Sequence, residues 1–318
     1  MSDQNNSWER GVLEKLALSA LKEQRRTRHW GIFFKVLTFA YLFILLAIFM
    51  GWIGDRESAL KSSGKHTALV DMQGVIAPDT MAGADFLIPS LQDAFSDKNT
   101  QGVILRINSP GGSPVQAGKI NDEIRRLRAK HTDIPLYVVV EDICASGGYY
   151  VAAAADKIFV DKASMIGSIG VLMDGFGFTG TMEKLGVERR LMTAGENKGF
   201  LDPFSPVVPE QQKFVQELLS EIHQQFIDVV KLGRGERLKD SPDTFSGLIW
   251  NGQKGVEMGL ADGLGSVESV ARDVIKEENI VDFTKKENFA DRLAKRLGAG
   301  VASALPGFAS QLNGASLR

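Results

Sequence analysis

The stretch Leu136-Tyr137-Val138-Val139-Val140-Glu141-Asp142-Ile143-Cys144-Ala145-Ser146-Gly147-Gly148-Tyr149-Tyr150 decides how this chain is read. Residues 136–140 are short, apolar and β-branched, which predicts a buried strand. The run Val151-Ala152-Ala153-Ala154-Ala155 that follows is among the best helix-forming segments of the chain. Ser146 therefore stands at a strand-to-helix junction. At a helix N-terminus, unpaired backbone N–H groups and the positive end of the dipole favour a developing negative charge. On that ground Ser146 is a candidate nucleophile, and the rest of the chain has to supply a base, an oxyanion site and a substrate.

Outward from this stretch, strands alternate with helices. Residues 66–70, 102–107, 157–160 and 169–172 read as strands, and 81–95 and 115–129 as helices. Strands separated by helical patterns imply βαβ crossovers and a parallel sheet with flanking helices, an α/β fold. Sites in such sheets form at the carboxyl ends of strands. The loop Asn108-Ser109-Pro110-Gly111-Gly112-Ser113-Pro114 and the Ser146 junction both lie at such ends, so they are expected to be neighbours. Further along, a short strand is expected at 191, leading into an irregular loop that ends near Phe204. Residues 209–232 predict a long helix with Phe214, Leu218, Ile222, Phe226 and Val229 as its apolar stripe. Residues 250–265 read as a short helix between glycine turns, 267–277 as a helix, and 289–297 as a basic amphipathic segment.

The 318 residues are 44% hydrophobic and 24% charged, the composition of a globular protein with a substantial core. A formal net charge of −2 gives no electrostatic case for a nucleic-acid partner. The one cysteine, Cys144, excludes an intramolecular disulfide and a cysteine-rich zinc site. No motif calls for a metal or cofactor.

Residues 36–53 run without a charge, about 27 Å of helix, and Gly31 to Lys35 extend it because Lys35 can snorkel. Residues 31–53 are thus expected to be a single transmembrane anchor in a lipid bilayer. A core helix is rarely apolar all round for so long. A signal peptide has a shorter apolar region and a small-residue cleavage site, whereas Asp55-Arg56-Glu57 follows here. Arg10, Lys15, Lys22, Arg25, Arg26 and Arg28 precede the span, so residues 1–30 are expected in the cytoplasm and the remainder outside it. The expected organisation is then a linker at 54–65, a folded domain at 66–280 and a C-terminal amphipathic tail at 281–318.

Which group serves Ser146 as base is open on local grounds. The Gly-x-Ser-x-Gly elbow is absent because position 144 is cysteine. Four histidines are present, and His29, His66, His131 and His223 are each poorly placed for a triad. Lysine is the other option, since Ser–Lys variants exist. Its pKa must fall from about 10.4 to about 7–8, roughly 3–5 kcal/mol of destabilisation of the charged form, and burial against apolar neighbours does this. Lys198 is a candidate because Gly199-Phe200-Leu201 and Pro203-Phe204 could wall it off from water, against the ordinary reading of a solvated surface lysine. Gly111 and Gly112 suit either an oxyanion site, with backbone N–H groups pointed inward, or a plain tight turn. Gly147-Gly148 carries the same ambiguity, as donors or as room for close helix packing.

Four motifs occur in order: Asn108-Ser-Pro-Gly-Gly-Ser113, Ala145-Ser-Gly-Gly-Tyr-Tyr150, Gly167-Ser-Ile-Gly170 and Ala261-Asp-Gly-Leu-Gly265. Together they resemble the signal peptide peptidase A (protease IV) family of membrane-anchored serine peptidases, over roughly residues 66–280. The resemblance implies a crotonase- or Clp-like α/β fold that assembles into homo-oligomeric rings, without a cofactor. It implies a Ser–Lys dyad of Ser146 and Lys198, with the backbone of Gly111 or Gly112 as oxyanion donor and Ser168 orienting the lysine; Gly147, beside the serine, is a further candidate backbone donor. It leaves open whether the dyad forms within one chain or across a subunit boundary. The implied substrates are small apolar peptides such as released signal peptides, and the implied place is the bacterial inner membrane with the catalytic domain periplasmic. Two alternatives stand beside it: a crotonase-fold acyl-CoA enzyme and a non-catalytic membrane scaffold.

Overall fold

The computed structural model describes residues 25–26, 28–47, 64–239 and 241–285. The chain divides into two units, Ser62–Lys286 and the remainder. In the remainder, helix α1 (Arg28–Ala47) has a mean hydropathy of 2.0 and is long and apolar enough to cross a membrane. Residues 48–53 of the expected anchor, and the amphipathic segment at 289–297, lie outside the described residues.

The larger unit alternates strand and helix. In chain order it holds β1 (His66–Gln73), α2 (Ala84–Ser96), β2 (Thr100–Ser109), α3 (Pro114–Lys130), β3 (Leu136–Ala145), α4 (Gly147–Ala152), β4 (Lys157–Val160) and β5 (Met165–Gly167). It continues with α5 (Thr179–Leu185), α6 (Pro209–Arg234), β6 (Ile249–Asn251), α7 (Gly252–Glu257), β7 (Gly263–Leu264), α8 (Val267–Ser269) and β8 (Ile280–Asp282).

The strands form one sheet in the order β6-β5-β3-β2-β1-β8. Strand β4 lies beside the first half of β3 and β5 beside its end, while β7 pairs with β4. All pairings are parallel except β5 with β6. The α/β expectation holds. Side-chain alternation along the strands sorts the core into two layers. Ala68, Val70, Met72, Val103, Leu105, Ile107, Leu136, Val138 and Val140 pack on the side of α2, α3 and α4. Leu69, Ile104 and Val139 face the other way, under Val267, Val270 and Ala271.

Helix α3 begins where the sequence marks a start. Ser113 caps it, its Oγ accepting from the Gln116 N–H at 3.4 Å, and Pro114 occupies the first turn, where a missing N–H costs nothing. That start fixes the end of the glycine loop between β2 and α3.

Elsewhere the local reading needs correction. The strand expected at 169–172 lies instead at β5, because Gly167 (φ +104°) and Ser168 (φ +51°) turn the backbone out of the extended region and end it. No strand forms at 191; between residues 171 and 208 the one regular element is α5. The helix expected at 250–265 is split into β6, α7 and β7. The one expected at 267–277 runs as α8 and then as a π-helical turn at Val270–Ile275, stopped by Lys276 at φ +68°. Helix α6 buries Phe226 and Val230, but Phe214 and Leu218 of its expected stripe are exposed.

Candidate active site

The site is built where β2, β3 and β5 end side by side. Ser109 pairs with Cys144, and Ala145 with Gly167, so the exits of three strands converge on residue 146. Ser146 adopts φ +52° and ψ −123°, a conformation that costs a residue with a side chain about 1–3 kcal/mol. Two backbone hydrogen bonds hold it there: its N–H donates to the Gly167 carbonyl at 2.9 Å, and its carbonyl accepts from the Tyr150 N–H at 3.0 Å. Beneath it α4 is anchored by Tyr149, fully buried, whose hydroxyl donates to the Leu260 carbonyl at 2.7 Å. The Ser146 hydroxyl does not cap α4 and forms no hydrogen bond to any described residue. It is held in place with its oxygen uncommitted. Cys144, by contrast, is fully buried, and burial pushes its thiol pKa up, which leaves it a packing residue.

The glycine loop lies against this junction. Gly111 has φ +99°, and a Cβ there would sit 2.7 Å from both the Ser146 Cβ and the Gly147 nitrogen. A Cβ on Gly112 would overlap the Ile76 carbonyl oxygen. Ile76 bridges the loop: its N–H donates to the Gly111 carbonyl at 2.8 Å, and its carbonyl accepts from the Ser113 N–H at 2.8 Å. In a parallel bridge the residue between those two partners directs its own N–H away from the bridging strand. The Gly112 nitrogen accordingly lies 3.3 Å from where a Cβ on Gly147 would be. Neither the Gly112 nor the Gly147 N–H has an acceptor among the described residues. The Gly111 N–H is different: it donates to the Ser109 Oγ at 3.1 Å. Of the three glycines singled out from sequence, two therefore present free donors beside Ser146.

Ser168 follows the residue that holds Ser146. It is half-buried at φ +51°, its N–H donates to the Leu248 carbonyl at 2.8 Å, and its hydroxyl is unengaged. Lys198 is not brought to this cluster by hydrogen bonding. Its main-chain N–H donates to the Gly195 carbonyl at 3.1 Å, its side chain is exposed, and no hydrogen bond or ion pair joins it to Ser146 or Ser168. The dry wall expected around it does not form within one chain. Phe200, Leu201 and Phe204 remain 40%, 42% and 44% exposed, with Phe200 set edge-on to Phe214 and Phe204 stacked on Phe178. No described histidine hydrogen-bonds to Ser146. His66 lies between the Gly64 carbonyl and the Thr100 hydroxyl, and His223 Nε2 is 3.1 Å from the Ile169 carbonyl. Among the described residues no cluster of side chains could hold a metal ion.

Asp262, in the fourth motif, has a structural role that its sequence did not declare. It accepts from the Ile158 N–H at 2.7 Å, from Arg234 at 2.8 Å and from Arg237 at 3.2 Å. Burial alone would raise its pKa; the Arg234 hydrogen bond and charge, with the Ile158 N–H and Arg237, outweigh that and hold it below the usual carboxylate value. The buried Arg234 also donates to the Gly259 carbonyl at 2.8 Å. This network ties the end of α6 to the segment whose Leu260 carbonyl holds Tyr149.

A largely parallel sheet whose central strand ends in a strained serine, faced by two free backbone N–H donors, is an α/β scaffold that sets a candidate nucleophile beside candidate oxyanion donors. Comparison with known proteins carries this further. The description Peptidase family S49 matches residues 128–281. A protein of Enterococcus faecium named "Putative signal peptide peptidase SppA" is 33% identical over 248 residues, covering 74% of this chain and 71% of its own. "Protease 4" of Haemophilus influenzae is 29% identical over 219 residues, 68% of this chain and 35% of its own. A Brucella melitensis protein named "Na(+)/H(+) antiporter NhaA" is 49% identical over 182 residues, but the chain spans just 25% of that protein's length. This chain belongs to peptidase family S49.

Proposed function

We propose that the protein is a membrane-anchored serine endopeptidase in which Ser146 is the nucleophile and Lys198 its base. Lys198, neutral, takes the proton of the Ser146 hydroxyl as Oγ attacks the peptide carbonyl carbon. The carbonyl oxygen becomes an oxyanion and is received by the N–H groups of Gly112 and Gly147. Collapse of the adduct breaks the C–N bond, the amine leaves with the proton held by Lys198, and water then hydrolyses the acyl-serine by the same route. Ser168, next to the residue that holds Ser146, orients the lysine. The observation that carries this reading is the Ser146 junction itself: a strained serine with an uncommitted hydroxyl, beside two free N–H donors.

The exposure of Lys198 supports a dyad completed between subunits. Across residues 171–208, Leu172, Met173, Phe176, Leu185 and Met192 are more than half exposed, an apolar surface that a second copy in a homo-oligomeric ring would cover. The same contact would cover Lys198 and shield it from water. Residues 31–53 anchor the chain in the inner membrane, with 1–30 cytoplasmic, 54–65 as linker, 66–280 as the periplasmic peptidase domain and 281–318 as a tail. Small apolar peptides, such as released signal peptides, are the substrates.

Ser146→Ala and Lys198→Ala should each abolish hydrolysis of a fluorogenic apolar peptide by the full chain in detergent. Mixing the two variants under conditions that exchange subunits should restore part of the activity, because some sites regain both groups. No recovery would place the dyad within one chain. Full activity in either single variant would remove that residue from the mechanism.

A further inference from the structure

We infer that Ser109 is a positioning residue that determines which glycine of the loop donates to the oxyanion, an inference that rests on the Ser146 reading above. Ser109 is the last residue of β2, is fully buried and is the register partner of Cys144. Its hydroxyl makes two bonds of opposite sense. It donates to the Gly74 carbonyl at 2.6 Å and accepts from the Gly111 N–H at 3.1 Å. One side chain thus fastens the loop to the end of β1 and also occupies the Gly111 donor.

The remaining donors of the loop can be accounted for one at a time. Pro110 has no N–H. The Gly111 N–H is taken by Ser109, and the Ser113 N–H by the Ile76 carbonyl. Gly112 is left, and its nitrogen is the one that faces the first residue of α4. Ser109 also lies directly under that helix: a Cβ on Gly148 would be 3.1 Å from the Ser109 carbonyl oxygen and 3.5 Å from its Cβ. The same residue therefore sets the height of the loop and the seat of the helix that carries the second donor. Without the hydroxyl, the buried Gly111 N–H has no acceptor. The loop then turns to satisfy it, and the Gly112 N–H moves off the oxyanion.

Ser109→Ala separates this role from plain structural support when two quantities are compared in the full-length enzyme. One is KM for a fluorogenic peptide, a ground-state property; the other is inhibition by a peptide aldehyde of the same sequence, whose adduct with serine places an oxyanion in the hole. Losing one such donor costs about 10²–10³-fold in kcat. Ser109→Ala is expected to lower kcat per active site by about 10²-fold and to weaken aldehyde binding about as much, with KM within a few fold. Active sites are counted by fluorophosphonate labelling. Ser109→Cys, which keeps the branching of the side chain but is somewhat larger and hydrogen-bonds weakly, should show a smaller loss in the same direction, and it carries the test if the alanine variant does not fold. An unchanged ratio of aldehyde affinity to KM in the folded variant would overturn the role of Ser109. If wild-type enzyme is not labelled and Ser146→Ala still hydrolyses peptide, the nucleophile reading has failed instead.

Discussion

Gly111→Ala is the most direct test of how closely the loop is fitted to the serine. The added methyl would lie 2.7 Å from the Ser146 Cβ and the Gly147 nitrogen, and 2.8 Å from the Ala145 carbonyl oxygen. Carbon atoms in favourable contact are about 3.5–4.0 Å apart, so loop and junction must separate by about 1 Å. None of the three atoms is the free end of a flexible side chain, so the backbone of the site itself has to move. A misplacement of that size costs about 10²-fold in rate, equivalent to about 2.7 kcal/mol on the barrier. Independently, φ +99° adds about 1–3 kcal/mol of strain to the folded state once a Cβ is present. The assay is kcat for a fluorogenic peptide together with thermal unfolding. Gly118→Ala serves as control: it lies inside α3 with no atom within 4 Å of a new Cβ, and it should stabilise by up to about 1 kcal/mol without changing kcat. Wild-type kcat in Gly111→Ala would refute the packing argument. An equal loss in Gly118→Ala would show that the effect is not local.

Three further outcomes follow from other parts of the molecule. Asp262→Ala strands the buried Arg234 guanidinium and should destabilise the peptidase unit by about 3–5 kcal/mol in chemical denaturation. Because the folded pKa of Asp262 is depressed, its contribution is complete above the unfolded value of about 3.9 and is lost as pH falls through the lower folded value; Asp262→Asn should flatten that acid limb, and an unaltered limb would show that other carboxylates carry it. Cys144 should resist thiol reagents in the native protein and react on unfolding, so rapid native labelling would contradict its burial. Leu42→Arg, in the apolar part of α1, should oppose membrane insertion by about 2.5–3.5 kcal/mol and raise the fraction extracted by alkaline carbonate; unchanged extraction would argue against a spanning helix.

Much of this architecture was legible in the chain. The β-branched run 136–140, the loop 108–114 and the Ser113-Pro114 helix start each carry a local signal, and each appears at or near its expected place. Ser146 could be singled out because a strand-to-helix junction is a local feature. What local patterning could not give is anything set by close contact between distant segments. The strand expected at 169–172 moved to β5 because Gly167 and Ser168 take positive φ to meet Ser146 and Leu248. Phe214 and Leu218 looked like core by spacing, yet spacing alone does not show whether a partner lies opposite them.

The sequence by itself determined the α/β alternation, the apolar helix and the candidacy of Ser146, since each depends on periodicity or on neighbours in the chain. Tertiary structure decided which glycine N–H is free, because the Gly111 donor is consumed by a hydroxyl two residues away while the loop is pinned by Ile76 from another segment. It also decided that Lys198 is exposed in a single chain. What covers a side chain comes from distant segments, and that covering is not encoded in the residues beside it.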